Sequence, residues 1–276
     1  MSHPEFLYRY RSASTSFFEE EIRRAFNMRE IYCSPISNMN DPLDSNPVME
    51  TSSLKDVNDL IQRYQLPIIS EKTLEKYGRS QESNEAIRKA STLETAQELV
   101  KLSGIFVKAF RSYEMISSLS EVWDSTLMWS HYTAGHKGLC IKYRVVPSKS
   151  AKMLEHPRPV KYVKTRSTLT TIDMINALMA DRIRDKITNS AFEKTVSSMV
   201  FEKSSDWKYE KEWRVAVSKN EPPKYYNILP LEPVGVILGA NATEEIEQKV
   251  RDIVPKHAEI IRLKIDAKSY KLVIDD

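Results

Sequence analysis

The chain has 276 residues, 41% of them hydrophobic, so it can bury a core without disulfides or a structural metal. Its 41 Lys and Arg against 38 Asp and Glu give a formal net charge of +3, too small by itself to indicate a nucleic-acid or membrane partner. With 6 glycines and neither a GxGxxG nor a GxxxxGK[ST] stretch, the sequence argues against a dinucleotide-binding Rossmann domain and a P-loop nucleoside triphosphatase.

Cysteine usage and hydropathy indicate the compartment. Cys33 and Cys140 each lie in an apolar, strand-like stretch, which is typical of buried reduced thiols. The N-terminal residues contain no apolar signal-peptide core, and no window approaches 18 apolar residues. We therefore expect a cytoplasmic protein without a membrane partner.

The first third of the chain predicts a strand, a helix and a second strand. In EFLYRYRS, arginines and tyrosines alternate with a period of two, which is typical of a strand. Ser14 or Ser16 is expected to cap the helix TSFFEEEIRRAFNMRE, in which acidic residues come early and basic residues late. EIYCSPISNMNDPLDSNP begins as a strand and continues as a loop of turn-forming residues. Residues 52–103 predict a polar helical insertion.

The rest of the chain predicts further strands around a second insertion. GIFVKAFRSY predicts a strand from Gly104, LSEVWDSTLMWSHYTAG a helix with Gly135 as its C-cap, and HKGLCIKYRVV and VKYVK two strands. A second helical insertion is expected at about 171–204. After it come the strands KEWRVAV and EPVGVILG, a helix capped by Asn241 or Thr243, and the strands EIIRLKI and YKLVID. Without βαβ alternation, this order predicts one α+β domain over residues 1–276, with a mixed, mostly antiparallel sheet.

Common catalytic motifs leave few candidates. His131 and His136 are five apart, but without a neighbouring cysteine or carboxylate pair they are a weak zinc signal, so no metal is expected. The absence of a GxSxG elbow argues against a classical hydrolase. A metal-dependent nuclease stays an alternative, with suggestive carboxylates at Asp41, Asp44, Glu210 and Glu212.

Four polar and aromatic stretches remain: LYRYRS (7–12), SPISNMNDPLD (34–44), LMWSHYTAGHKGLCIKY (127–143) and WKYEKEWR (207–214). In this order they resemble a bacterial family of unknown function whose members read roughly LYKYR, FSSP..FNDPFD, MWSHYA..HKGFCI and WKYEKEWR. The resemblance covers nearly the whole chain. The departures are the ISNM stretch (36–39), which replaces the more usual aromatic before Asn40-Asp41-Pro42, and Leu43, which stands where Phe is common.

The motif order of this family is similar to that of the ADP-ribosyltransferase superfamily. That similarity implies an ADP-ribosyltransferase-like fold, NAD as the substrate, and either hydrolysis of NAD or transfer of ADP-ribose to an unknown protein or nucleic-acid acceptor. Members of the family are met in bacterial anti-phage settings. The resemblance therefore also implies a defence or toxin role, with a partner protein of a defence system.

In that scheme Glu212 is the catalytic carboxylate, because one carboxylate stabilises the positive charge that develops when the nicotinamide–ribose bond breaks. On KEWRVAV, a period of two puts Glu212 and Arg214 on one face and Trp213 on the other. Arg214 is expected to pair with Glu212 or to bind the diphosphate. The other predicted catalytic residues are His131 and Tyr132. The residues expected to bind NAD, by stacking, phosphate contact or polar contact, are Arg9, Tyr10, Arg11, Ser34, Asn40, Asp41 and Arg214.

A plainer interpretation stays open for each stretch. Glu and Arg on one strand face are most often a solvated ion pair, NDPLD is a typical Asx turn, and HYTAGHKG is typical of a helix end followed by a turn. On function, a non-catalytic sensor or interaction module of a defence system is the alternative from a different class.

Overall fold

The computed structural model describes residues 3–50, 52–64, 105, 107–108, 110–112, 114–146, 148–150, 155–180, 186–218, 224–227 and 230–275. The chain forms two compact units. The first comprises Met1–Asp44, Tyr113–Lys164 and Phe201–Asp276, and the second comprises Ser45–Ser112 and Thr165–Val200.

The secondary structure combines short strands with helices. The strands are β1 (Phe6–Arg11), β2 (Glu30–Pro35), β3 (Val48–Glu50), β4 (Glu114–Ser120), β5 (Leu139–Val145), β6 (Arg158–Pro159), β7 (Lys161–Val163), β8 (Thr168–Thr170), β9 (Glu202–Ser204), β10 (Glu212–Ser218), β11 (Lys224–Asn227), β12 (Leu231–Leu238), β13 (Glu259–Ile265) and β14 (Leu272–Ile274). The α-helices are α1 (Phe18–Arg23), α2 (Leu54–Tyr64), α3 (Thr126–Tyr132), α4 (Thr171–Leu178), α5 (Lys186–Val200) and α6 (Glu244–Ile253). A π-helical turn at Arg24–Met28 and 3-10 turns at Ile36–Asn38 and Ser205–Glu210 complete them.

The first unit is built on a curled, mostly antiparallel sheet with the order β11-β2-β4-β1-β5-β12-β13-β14, and β10 pairs with β4 and β6. β12 and β13 run parallel. Strand β10 shows why its sequence forms this sheet. Trp213, Val215 and Val217 enter the main hydrophobic core, and alternation turns the polar Glu212 and Arg214 to the opposite face.

The second unit is largely helical. Helix α4 packs against α5, and β3 pairs in parallel with β8, in which Leu169 is buried. Helix α4 begins at a capping box, in which the side chains of Thr170 and Asp173 accept hydrogen bonds from each other's backbone N–H groups. None of the helices in the described ranges combines the length and apolar character needed to cross a membrane.

The mixed, mostly antiparallel sheet is confirmed, as are the strands predicted around β1, β2, β5, β7, β10, β12, β13 and β14. The cap of α6 is Thr243, one of the two predicted residues. Of the predicted insertions at 52–103 and 171–204, residues 52–64, 171–180 and 186–200 lie in the second unit, and residues 65–103 lie outside the described residues. The single domain over residues 1–276 stays a prediction.

Two boundary predictions are wrong. The described residues of GIFVKAFRSY are helical, and the strand begins only at Glu114. A short apolar run has no period that distinguishes a buried helix from a strand. The second insertion does not stay helical to residue 204, because α5 ends at Val200 and Glu202–Ser204 form β9.

Three predicted helix ends also differ. Helix α1 has Phe17 at its N-cap position and no side-chain cap, so neither Ser14 nor Ser16 caps it. The helix predicted from Leu119 begins at Thr126, where the Ser125 side chain accepts a hydrogen bond from Met128 N. It ends with Thr133 at the C-cap position, so the C-cap is not Gly135.

Candidate active site

A pocket with a volume of about 210 Å³ lies in the first unit and is lined by residues of β1, β2 and β4 together with residues of α3, β9 and β10. The strand pairing explains its position. β1 pairs with β5 from Phe6 to Arg11, but it pairs with β4 at a single position, Tyr8↔Ser120. β1 and β4 therefore diverge along the rest of β1, and the pocket lies beside the gap between these two strands.

Arg9 bridges the gap between the strands. Its guanidinium donates to Tyr32 O of β2 over 2.9 Å, to Ser118 O of β4 over 3.3 Å, and to Ser117 Oγ. Its Nε also donates to Glu21 Oε1 of α1 over 2.9 Å. Side-chain hydrogen bonds thus replace backbone pairing where β1 and β4 part. Arg9 lines the pocket, but most of its donors are used within the fold.

Arg11 is the more accessible of the two β1 arginines. Its side chain is 34% exposed and shares Glu21 with Arg9, with Arg11 Nε donating to Glu21 Oε2 over 2.6 Å. The guanidinium also lies over the Tyr32 ring, 5.9 Å from its centre. Two guanidinium groups therefore share one carboxylate on the β1 side of the pocket, which leaves positive charge there for an anion.

The uncharged lining combines aromatic and apolar side chains with small polar ones. Tyr10 packs edge-on against Trp129, with 5.3 Å between ring centres, and donates its hydroxyl proton to Val122 O over 2.9 Å. Rings of this kind are suited to stack on a planar ligand. The uncharged residues that line the pocket are Tyr8, Tyr10, Tyr32, Ser34, Asn38, Met39, Asn40, Ile116, Ser118, Leu119, Met128 and Tyr132.

Lys203, Glu210 and Glu212 form a charged wall of the pocket. The parallel pair β7–β9 places Lys203 opposite Tyr162, and the 3-10 turn Ser205–Glu210 returns the chain so that Glu210 and Glu212 face Lys203. The turn closes at Lys211, whose φ of 43° is left-handed and reverses the chain into β10. The Lys203 ammonium lies 2.5 Å from Glu210 Oε2 and 3.0 Å from Glu212 Oε2.

The two carboxyl groups of this wall have opposite pKa shifts. Burial raises the pKa of Glu210, and the nearby Glu212 carboxylate adds to the rise against the lowering effect of Lys203. For Glu212, burial acts in the same direction, but Arg214 and Lys203 outweigh it and hold the pKa at about 2. Glu212 is therefore ionised at neutral pH, and Glu210 is the group that takes up a proton more readily.

Glu210 also bonds to a tyrosine. Tyr132 of α3 donates its hydroxyl proton to Glu210 Oε1 over 2.5 Å. Burial raises the pKa of Tyr132, and the bond to Glu210 raises it further, so the hydroxyl keeps its proton. Both Glu210 oxygens thus have a donor, one neutral and one cationic.

Arg214 lies behind the wall and not on it. Its side chain is fully buried, with Nε 2.7 Å from Glu212 Oε1 and Nη2 2.7 Å from Asp44 Oδ2. Burial lowers the pKa of Arg214, but Glu212 and Asp44 outweigh this and raise it. Of the two roles predicted for Arg214, the structure shows the pairing with Glu212.

Seven of the predicted site residues line the pocket: Arg9, Tyr10, Arg11, Ser34, Asn40, Tyr132 and Glu212. His131, Asp41 and Arg214 do not. His131 is exposed because it lies on the outer side of α3. Asp41 instead forms the predicted Asx turn, in which it accepts from Leu43 N over 2.8 Å, and it also accepts from Trp207 Nε1 over 3.0 Å.

Sequence reasoning missed Lys203 as a site residue and gave Glu210 only a place in the nuclease alternative. A lysine inside a predicted helical insertion usually belongs to a solvated face, so its sequence position carried no signal. The closer signal was the pair of glutamates in WKYEKEWR, which lie between two tryptophans and so call for a buried cation nearby.

Three of the four carboxylates named for a metal-dependent nuclease are already engaged by cations. Asp44, Glu210 and Glu212 meet Lys203 and Arg214. Within the described ranges, no group of three or more His, Cys, Asp and Glu side chains is arranged to hold a metal ion. This arrangement gives the nuclease alternative no support.

Comparison with known proteins adds one finding. Residues 128–215 match a family described as "Protein of unknown function (DUF2971)", and this span includes Tyr132, Lys203, Glu210 and Glu212. The match supports the predicted resemblance at the level of a domain of unknown function, and the likeness to ADP-ribosyltransferases stays a prediction. Comparisons with curated proteins and with solved structures found no match.

Proposed function

We propose that the pocket binds NAD and that the protein breaks the bond between nicotinamide and ribose, either hydrolysing NAD or transferring ADP-ribose to an acceptor. The observation that supports this proposal is the pair Glu210 and Glu212 on one wall of a single pocket, with pKa values shifted in opposite directions. Two carboxyl groups whose environments separate their pKa values are suited to divide acid–base and electrostatic roles.

Glu212 and Glu210 have different roles in the proposed reaction. As the bond from ribose C1′ to nicotinamide nitrogen breaks, its electron pair leaves with nicotinamide, which departs neutral. Ionised Glu212 contributes negative charge near the oxocarbenium-like centre. The Glu210 carboxylate accepts the proton that the attacking water or acceptor hydroxyl loses as it bonds to C1′, and a raised pKa suits a general base.

The pocket has room for part of NAD. Its volume of about 210 Å³ is smaller than that of sites that enclose whole drug-sized ligands, roughly 300–1,000 Å³. One end of the dinucleotide enters, with the tyrosine rings available for stacking and Arg11 for a phosphate oxygen, and the other end stays outside. The acceptor, the defence role and a defence-system partner protein belong to the proposal and rest on the family resemblance alone.

The test is turnover of NAD by the purified chain, followed through released nicotinamide and through labelled ADP-ribose on protein and nucleic acid from a cell extract. We expect E210Q and E212Q to lower kcat at least 100-fold, the lower end of the usual effect of general acid–base groups. The matched control E244Q, at an exposed position of α6, keeps wild-type turnover. Absence of both NAD binding and product formation in the wild-type protein refutes the proposal.

A sensor without chemistry is favoured by a different observation. Both carboxylates of the charged wall already bond to protein cations, as in a structural ion cluster. For a sensor, NAD or a related nucleotide binds without being consumed, and E212Q changes affinity no more than the exposed control E244Q. Binding without turnover in the same assay therefore selects this second candidate.

A further inference from the structure

We propose that Lys203 is a positioning residue that holds Glu210 and Glu212 side by side on the pocket wall and favours the ionised form of Glu210, the form that can accept a proton. The inference rests on the proposed function and deepens it by saying what holds the base, Glu210, in place and ionised. It concerns the protein without ligand, so it does not require that NAD be the molecule bound.

The contacts of Lys203 place it at the centre of the cluster. Its side chain is 3% exposed, and its ammonium lies 2.5 Å from Glu210, 3.0 Å from Glu212 and 3.6 Å from Asp44. Burial alone would lower the pKa of Lys203, but Glu212, Glu210 and Asp44 outweigh it and raise it. The ammonium therefore stays charged, and it contacts all three carboxylates.

The three carboxylates share the positive charge unequally. Glu212 and Asp44 each contact Arg214 in addition to Lys203, whereas Lys203 is the cation that contacts Glu210 among the described residues. A proton is therefore bound more readily at Glu210 than at Glu212. Removing Lys203 takes away a cation that contacts Glu210 but leaves Glu212 with Arg214.

Other titratable groups also face Glu210. Tyr132 of α3 donates to it, Glu212 of β10 repels it, and Tyr209 is its neighbour in the 3-10 turn. Tyr162 of β7 lies near both glutamates and accepts the Glu212 N–H over 2.8 Å. Burial raises the pKa of each tyrosine, so these hydroxyls stay neutral across the range in which a glutamate titrates. The charges that can set the proton affinity of Glu210 are therefore those of Lys203, Glu212 and, behind them, Asp44 and Arg214.

Trp207 explains why the lysine holds one position. Its ring covers the ammonium, with Lys203 Nζ 5.0 Å from the ring centre, and its own N–H is held by Asp41. A compact ammonium with three rotatable donors can meet three carboxylates in different directions, which the planar fork of arginine does less well. The aromatic cover keeps water away and strengthens each contact.

The experiment is a titration of the Glu210 side-chain carboxyl carbon by NMR in the full chain, assigned by its loss in E210Q. In the wild type we expect a midpoint above the roughly 4.3 of an unperturbed glutamate. In K203M the proton affinity of Glu210 should rise about tenfold or more, because an opposite charge in contact is lost. K203R keeps the charge and should stay closer to the wild type than K203M. A lysine with a merely structural role would leave the midpoint in place, so an unchanged or lowered midpoint in K203M overturns the proposal.

If K203M alone fails to fold, double variants test the role of Lys203. The double variant K203M/E210Q removes one carboxylate together with the ammonium and is expected to recover folding. The matched double variant K203M/E244Q, with its exposed second site, is not. Equal recovery or equal failure of the two double variants overturns the proposal. These readouts use the free protein, so they are independent of whether NAD is turned over.

Discussion

Arg9 is a charged residue that replaces backbone pairing inside a sheet. Its guanidinium donates hydrogen bonds to Tyr32 O of β2 and to Ser118 O and Ser117 Oγ of β4. It also bonds to Glu21 of α1. The buried arginine thereby joins β1, β2, β4 and α1. Arg9 lines the pocket because of this structural role. We therefore expect substitution of Arg9 to affect mainly stability and substitution of Arg11 to affect mainly ligand binding.

We expect R9M to lower the free energy of unfolding by about 3–5 kcal/mol, because it leaves buried acceptors and part of the Glu21 charge without a partner. R9K should recover little, since one ammonium cannot reach acceptors that a planar fork reaches. The measurement is equilibrium urea unfolding. R23M is the control: its arginine is 54% exposed on α1, and the change should stay within about 0.5 kcal/mol. Similar small losses for R9M and R23M would contradict the bridging role.

Glu210 and Glu212 should respond in opposite ways to the same substitution. E212Q leaves Arg214 and Lys203 with too little negative charge, so we expect a loss of about 3 kcal/mol at pH 7. E210Q keeps the hydrogen bond from Tyr132 and removes a carboxylate that is poorly compensated, so stability at pH 7 should stay level or rise. Urea unfolding of both variants is the measurement, and a larger loss for E210Q than for E212Q would contradict this assignment of charge.

The pH dependence of stability has a definite sign for each group. The folded pKa of Glu212 is depressed to about 2 from 4.5, so its contribution is present above pH 4.5 and is lost as the pH falls from there towards 2. The folded pKa of Glu210 is raised, so the folded state binds this proton more tightly and acidification towards pH 4.5 stabilises it. We expect E210Q to abolish the gain and E212Q to reduce the loss at lower pH. Urea unfolding at a series of pH values tests both, and parallel profiles for the two variants would refute them.

At the scale of elements, a left-handed turn joins α3 to β5. Ala134, Gly135 and His136 have φ values of 53°, 72° and 65°. The turn is held by backbone bonds from Gly135 to Ser130 O and from His136 to Trp129 O, and the His136 ring stacks on Trp129. It delivers the chain to Gly138, where a β-carbon would overlap with Arg11 O. The turn therefore controls how closely β5 approaches the strand that carries Arg11.

Two glycine substitutions distinguish the cost of a left-handed backbone conformation from the cost of steric overlap in this turn. G135A meets open space but places an L-residue in the left-handed region, so we expect a loss of about 1–2 kcal/mol. G138A pushes into the Arg11 backbone and the Thr133 side chain, which should cost about 2–3 kcal/mol and shift β1. Urea unfolding gives the stabilities, and NMR shifts of the Arg11 amide report the displacement. An Arg11 amide that moves as much in G135A as in G138A would contradict the contact.

The sequence predicts elements well where a local period exists and poorly where long-range contacts decide. KEWRVAV is correctly predicted as a strand because Trp213, Val215 and Val217 alternate with polar residues. The segment from Gly104 is predicted wrongly because its apolar run has no such period. The ion cluster cannot be predicted from a local pattern, since Asp44 and Lys203 are far apart in the chain and meet only in the folded structure.

At the scale of the whole molecule, the span that matches the family is shorter than the part of the fold on which its strands depend for pairing. Residues 128–215 include β5 and the first residues of β10. They leave out β1 and β12, the two partners of β5, and β4, one of the two partners of β10. The span also begins after Ser125, whose side chain caps α3. The pocket needs Arg11 from outside the span and Glu210 from inside it.

We therefore expect a fragment of residues 128–215 to be unfolded when produced alone. Strand β5 would lose the partners on both of its edges, and a strand without neighbours leaves its apolar face and its backbone donors in water. Proton NMR dispersion and a urea titration measure this, with the full chain under the same conditions as the control. A fragment with dispersed amide signals and a cooperative urea transition would show instead that the span is a folding domain and that β1, β4 and β12 are additions to it. That outcome would also separate the pocket's charged wall from the sheet, because Lys203 and Glu210 would then be held without β1.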